Sequence, residues 1–113
     1  MKSLALSLTA VSLLLVSGCV GTVTAVQTAK GSFTSTNPNE VEILKTRPEK
    51  PFIELGSVDA SNFGITEVAK MHNALRGKAA TLGANAVIIT SENVYDNGWG
   101  PVKAASGVAI KYK

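Results

Sequence analysis

A thiol, an imidazole, a handful of carboxylates and one indole set the chemistry this sequence can offer. Its single cysteine, Cys19, stands directly after an apolar run, Leu4–Val16, and two small residues, Ser17 and Gly18. A thiol is a soft nucleophile open to alkylation, and with no second cysteine in the chain it cannot close an internal disulfide. Metal binding needs several His, Cys or carboxylate ligands to converge, whereas His72 is the one histidine and reads as a boundary or surface imidazole on a helix. No metal site is expected. Hydrolysis would need a nucleophile with its base and orienter, or paired carboxylates in a cleft. Glu40, Glu42 and Glu92 read instead as solvated carboxylates on strand edges, so the chain is not expected to be an enzyme. Trp99 lies between Gly98 and Gly100, and an aromatic on a glycine-flanked loop is a common recognition anchor. The same ring could also cover a sheet edge in a domain short of core. Tyr95, just before that loop, is the second candidate contact residue for a partner or ligand.

The formal net charge is +3, spread along the chain without a cluster. Nucleic-acid binding needs a concentrated basic face, so that partner class is set aside. Lys2 followed by Leu4–Val16 and then small residues has the three parts of a cleavable export leader, residues 1–18. At 1.5 Å per residue the run would reach about 20 Å as a helix, short of the roughly 30 Å hydrocarbon layer, so a permanent span is unfavourable. The segment Leu15-Val16-Ser17-Gly18-Cys19 resembles the lipobox of bacterial lipoproteins, in which an aliphatic residue and two small residues precede the cysteine. Val16 stands where that family more often has Leu. The resemblance implies a diacylglycerol on the Cys19 sulfur, cleavage just before Cys19, and acylation of the new amine. Burial contributes about 0.8 kcal/mol per methylene, so two or three chains hold a protein on a bilayer effectively permanently. The covalent lipid is the one cofactor expected. Val20 occupies the place where lipoproteins retained in the inner membrane typically carry Asp, which implies outer-membrane anchoring facing the periplasm, with the inner membrane as the alternative. An ordinary secretory leader with Cys19 incidental is the competing reading of the same residues.

The elements that must position these groups follow from residue 19 onward. Residues 19–39 are rich in Thr, Ser, Gly and Asn and read as a lipidated N-terminus and flexible or extended tether, although Val20–Val26 is β-prone enough to add an edge strand. Residues 40–113 hold the one domain. Val41–Thr46 is a short strand, broken by Pro48 and Pro51. Phe52–Ala60 is the second strand, with Ile53 and Leu55 on one face, Phe52 and Val58 nearer the other, and Gly56 marking a bulge or close backbone approach. Ser61–Gly64 turns the chain. Thr66 can cap a helix whose Val68, Met71, Leu75, Ala79 and Leu82 recur at spacings of three and four, and Gly83 ends it in the left-handed conformation. Ala86–Ile89 is apolar on both faces, suits the central strand and runs on towards Tyr95. Asp96–Pro101 is a loop with Asn-Gly turn chemistry. Lys103–Lys113 returns with Val108, Ile110 and Tyr112 alternating against Ala109, Lys111 and Lys113. The order strand-strand-helix-strand-strand gives an α+β fold, a mainly antiparallel sheet with one helix packed on one face.

The stretch Asn37–Leu44, then Pro48, Pro51, Glu54–Val58 and Leu75–Ile88, resembles a broad group of small bacterial lipoproteins. That group is distantly similar to the outer-membrane sensor lipoprotein of the Rcs envelope-stress pathway, which implies the same sheet-and-helix scaffold. The sensor's domain is held by disulfides that cannot form here, so its signalling role is not carried over. A similar Leu-x-x-x-Ala-x-x-x-Gly-Ala-x-Ala-Val pattern also occurs in oligomeric domains labelled as heavy-metal binders, a label the scarcity of ligands argues against. What the pattern explains physically is a run of small residues, Ala79, Gly83, Ala84 and Ala86, that lets a helix sit close on a sheet.

A membrane-anchored, non-enzymatic envelope lipoprotein is the expected function, a protein-interaction or structural and sensor module whose partner is another envelope protein or a second copy. The alternative is a small-ligand or cell-wall binding module that uses the Trp99 loop.

Overall fold

Fourteen consecutive residues with one apolar stripe have to bury that stripe, and the sheet they find is built from strands on both sides of them in sequence. The computed structural model describes residues 21–113. The elements are β1 (Thr22–Gln27), β2 (Glu42–Leu44), β3 (Phe52–Gly64), α1 (Val68–Thr81), β4 (Ala86–Asp96) and β5 (Pro101–Tyr112), with a 3-10 turn at Pro38–Glu40. The sheet order is β1-β3-β5-β4-β2. The β1–β3, β3–β5 and β5–β4 pairs are antiparallel, and β4–β2 is parallel. This is the small α+β domain expected, a mostly antiparallel sheet with one helix packed on it.

Helix α1 buries Met71, Leu75, Ala79 and Ala80 against Leu55, Val58, Ala60 and Phe63 of β3, Val87 of β4, and Ala105 and Ala109 of β5. Small residues under the helix, Ala105, Gly107 and Ala109, let its axis approach the central strand closely. The central strand is therefore β5, and β4 lies next to the β2 edge, which corrects the placing of Ala86–Ile89 at the centre. Close approach selects small side chains there, so the β5 residues facing the helix are Ala and Gly, and Val108, Ile110 and Tyr112 take the opposite face. At one end of that face Arg47 lies over the Phe52 ring and Lys50 over the Tyr112 ring, each 4.7 Å from the centroid. Ile110 is fully buried there.

Three irregularities set which side chains face the helix. Register shifts lie between Glu54 and Gly56, between Ala60 and Phe63, and between Ile89 and Ser91. Each inserts residues into one strand and so reverses the in-out alternation beyond it. Leu55 and Val58 thereby share the core face rather than opposing each other, and Ser61–Gly64, expected as a turn, continues β3 with Phe63 buried. Asn62 takes φ +62° at the middle irregularity.

The helix start also differs from the sequence expectation. Glu67, not Thr66, is the cap residue, and its side chain makes no cap hydrogen bond. Its Oε1 instead accepts from the Gly64 backbone N–H at 2.8 Å, and that bond, with the Lys70 ammonium beside it, lowers the Glu67 pKa. The helix end is as expected. Gly83, at φ +91°, donates to Ala80 O, and Ala84 donates to Ala79 O, the paired closure that satisfies the last free carbonyls.

The flexible tether read over residues 19–39 is corrected in its described part. Thr22–Gln27 pairs with Ser61–Gly56 as strand β1. Farther on, Thr36 N–H donates to Ala80 O at 2.9 Å and Thr36 Oγ1 to Ala84 O at 2.5 Å, while Phe33 packs against the core. Polar composition misleads here because Val23 and Ala25, alternating with Thr22, Thr24 and Val26, suffice for one half-buried strand when β3 offers a free edge.

Candidate functional site

Two clusters gather the polar and aromatic side chains with chemical potential. The first lies between α1 and the sheet. His72 Nε2 meets Glu92 Oε1 at 2.5 Å, with the two side chains only 16% and 17% exposed. A carboxylate can only accept, so this nitrogen carries the proton. Glu92 Oε2 lies 3.9 Å from both Lys45 Nζ and Lys103 Nζ. The His72 hydrogen bond leads in holding the Glu92 pKa below the ordinary carboxylate range, opposed by partial burial and aided by the charges of His72, Lys45 and Lys103. Glu92 is therefore not the solvated edge carboxylate read from sequence. Counted by alternation from Val87 and Ile89 it falls on the outer face, and the register shift between Ile89 and Ser91 brings it inward opposite Ala105.

A carboxylate held ionised this way ties α1 to β4. Its stabilisation is present above the ordinary glutamate value and is lost as pH falls through the lowered native value. Glu92→Gln is expected to cost about 1 kcal/mol at neutral pH, the difference between a charged and a neutral hydrogen bond. Below the native pKa, where Glu92 is itself protonated, the wild type and the variant should converge in melting temperature. Parallel melting curves from neutral to acid pH would contradict this role. Among the described residues no three His, Cys, Asp or Glu side chains form a group that could hold a metal ion, and no pocket opens beside the pair.

The second cluster is the β4–β5 hairpin. Gly98 N–H donates to Asp96 Oδ1 at 2.7 Å and Trp99 N–H to Asn97 Oδ1 at 2.8 Å. Asn97 N–H donates to Gly100 O at 3.3 Å. Asn97 Nδ2 donates to Asn62 Oδ1 at 2.6 Å, and the Asn62 N–H donates to the Tyr95 hydroxyl at 3.0 Å, so the tip is braced against β3. These bonds fix the loop before anything binds it. The Trp99 ring stands at its apex, 95% exposed, and does not cover the sheet edge. The two contact residues read from sequence are thus separated in task. Trp99 is presented, and Tyr95 is a strut. The brace through Asn62 has no local signature in the sequence, because only the irregularity in β3 brings residues 62 and 97 together.

The lipidation residue Cys19 and the lipobox residues Val16, Ser17 and Gly18 lie outside the described residues. No helix among the described residues is long and apolar enough to cross a membrane.

No protein-family model and no curated protein sequence matches the chain. Among solved structures, the fold is similar to the crystal structure of a Francisella virulence factor, FvfA, in its orthorhombic form. The two share 14% sequence identity at a TM-score of 0.57, over 80% of this chain and 98% of that one. At that identity the likeness is one of fold.

Proposed function

We propose that this protein is a lipid-anchored lipoprotein of the bacterial envelope, held by acyl chains on Cys19 in the outer membrane and facing the periplasm, and that it works by binding another protein chain rather than by catalysis. The observation that carries the reading is the edge strand β1. It stands at one end of the sheet order with its second side carrying no strand among the described residues. Its six residues, Thr22 to Gln27, contain no charge and no proline, and Val26 is exposed. Edges are ordinarily blunted by Lys, Pro or very short strands. An edge left with free N–H and C=O groups suits the addition of a strand from a partner. The His72–Glu92 pair supports the non-enzymatic part, since a carboxylate held ionised and bonded to its own helix is a poor proton donor at neutral pH.

The test places a photo-crosslinking side chain at Val26 in the full-length protein, in intact envelopes. A discrete adduct is expected at Val26, none with the probe at Asn39 beyond the opposite sheet edge, and loss of the Val26 adduct when Thr24→Lys puts a charge on the edge. An adduct of twice the protein's own mass would identify a second copy as the partner. The same adduct pattern with and without Thr24→Lys would overturn strand addition.

A further inference from the structure

The antiparallel pairing of β1 sends its first residue to a particular end of the sheet. Thr22 lies opposite Ser61, near the C-terminal end of β3. The pairing continues past that level, through Gly64 opposite Val102 and Asp96 opposite Pro101, and then into the Trp99 loop. Three further residues of strand carry the hairpin about 10 Å beyond Thr22 at roughly 3.3 Å per residue. From Thr22 back to Cys19 the chain can reach at most about 11 Å. The hairpin tip therefore stands at the end of the sheet where the described chain begins, and Cys19 is only three residues before Thr22 in sequence.

The same end gathers three of the four exposed large apolar side chains among the described residues, Ile65, Val94 and Trp99, the fourth being Val26 on the β1 edge. Each of its charges has a partner. Asp96 accepts from Gly98 N–H, Glu67 pairs with Lys70, and Lys103 faces Glu92. The opposite end, where Phe52 pairs with Tyr112, carries Arg47, Lys50, Lys111 and Lys113 together with Glu49 and Glu54, the last paired with Arg47, and is net basic. The two ends thus differ in their exposed apolar groups, with Ile65, Val94 and Trp99 at the end where the described chain begins.

From this geometry we infer that the Trp99 hairpin is a second membrane contact, its indole seated in the headgroup layer of the bilayer that holds the lipid. The inference rests on the lipid-anchor reading of Cys19. An indole is at its most favourable at that depth, where its ring is in apolar surroundings and its N–H stays wet. A prebraced loop lowers the entropy cost of seating it. The acyl chains supply attachment, and a protein contact beside the anchor fixes orientation. The strands then stand away from the membrane, and the open edge of β1 faces sideways where a partner can reach it.

Trp99 is the sole tryptophan, so its fluorescence reports this site alone. The natural protein is purified, its mass measured to establish the acyl chains, and it is reconstituted into vesicles of phosphatidylethanolamine and phosphatidylglycerol with brominated acyl chains. Relative to detergent-free vesicles without bromine, the emission should be quenched severalfold, lie to the blue of free tryptophan in water, and resist acrylamide. A Trp99→Phe, Lys113→Trp variant moves the probe to the basic end and should lose the bromolipid quenching. A lipidated protein whose Trp99 emission is water-like, or equals that of the Lys113 probe, overturns the membrane contact and leaves the anchor standing. A blue shift produced only by cell-wall fragments, without bromolipid quenching, overturns it in favour of a ligand. A mass without acyl chains removes the anchor and the contact together.

Discussion

Gly83→Ala is expected to destabilise the domain by about 2–5 kcal/mol, combining about 1–2 for a β-carbon in the left-handed conformation with about 1–3 for an overpacked contact. Residue 83 closes α1 at φ +91°, and a β-carbon there would lie 2.8 Å from Phe33 Cβ and 2.9 Å from Thr34 O. Neither neighbour can move alone. Phe33 is packed on the core, and the segment is tied to the helix end through Thr36. The expected pattern is therefore a drop in the denaturant midpoint accompanied by faster amide exchange at Thr36, whose N–H is bonded to Ala80 O. A core of this size typically supplies only about 3–5 kcal/mol of net stability, so the variant should sit close to its unfolding threshold. A midpoint unchanged from wild type would show that the 33–36 segment is not held by this corner.

Gly56→Ala is expected to act on the other end of the same segment and to detach β1. Its β-carbon would collide with the Val26 carbonyl oxygen and crowd the Gln27 α-carbon, both backbone atoms of the neighbouring strand. Backbone cannot swing aside as a side chain does, so the strand must separate locally. A cost of about 2–3 kcal/mol is expected, at the upper part of the range for overpacking. Exchange protection should be lost at the β1 amides that face β3 while α1, β4 and β5 keep theirs. The functional consequence is larger than the energetic one. On the proposed lipid anchoring at Cys19, releasing β1 lengthens the chain between lipid and domain, and bromolipid quenching of Trp99 should fall. Retained protection at Thr24 and Val26, whose pairing parity with Thr28 turns their N–H groups towards β3, would contradict the close contact.

The helix and its boundary were legible in the residues because both are local properties. Val68, Met71, Leu75 and Ala79 repeat at helical spacing, and Gly83 supplies the one conformation that ends the helix there. The small residues Ala79, Ala84 and Ala86 likewise announced a close helix-sheet corner, and all three are buried. Trp99 announced itself through its two glycine neighbours, and the loop it tops is where the turn chemistry put it.

What the sequence by itself determined was therefore the composition of each element: an apolar stripe, a glycine stop, alternating strands, a single thiol behind an apolar run. Only the tertiary structure decided the direction each side chain takes and which ends meet. Strand alternation has a period of two, so one inserted residue inverts everything beyond it, and the irregularities in β3 and β4 send Leu55, Phe63 and Glu92 inward against a straightforward count. Pairing is equally nonlocal. Residues 22–27 become a strand because the outer edge of β3 is free to receive them, and that antiparallel pairing sets the N-terminal entry and the Trp99 hairpin at one end of the sheet.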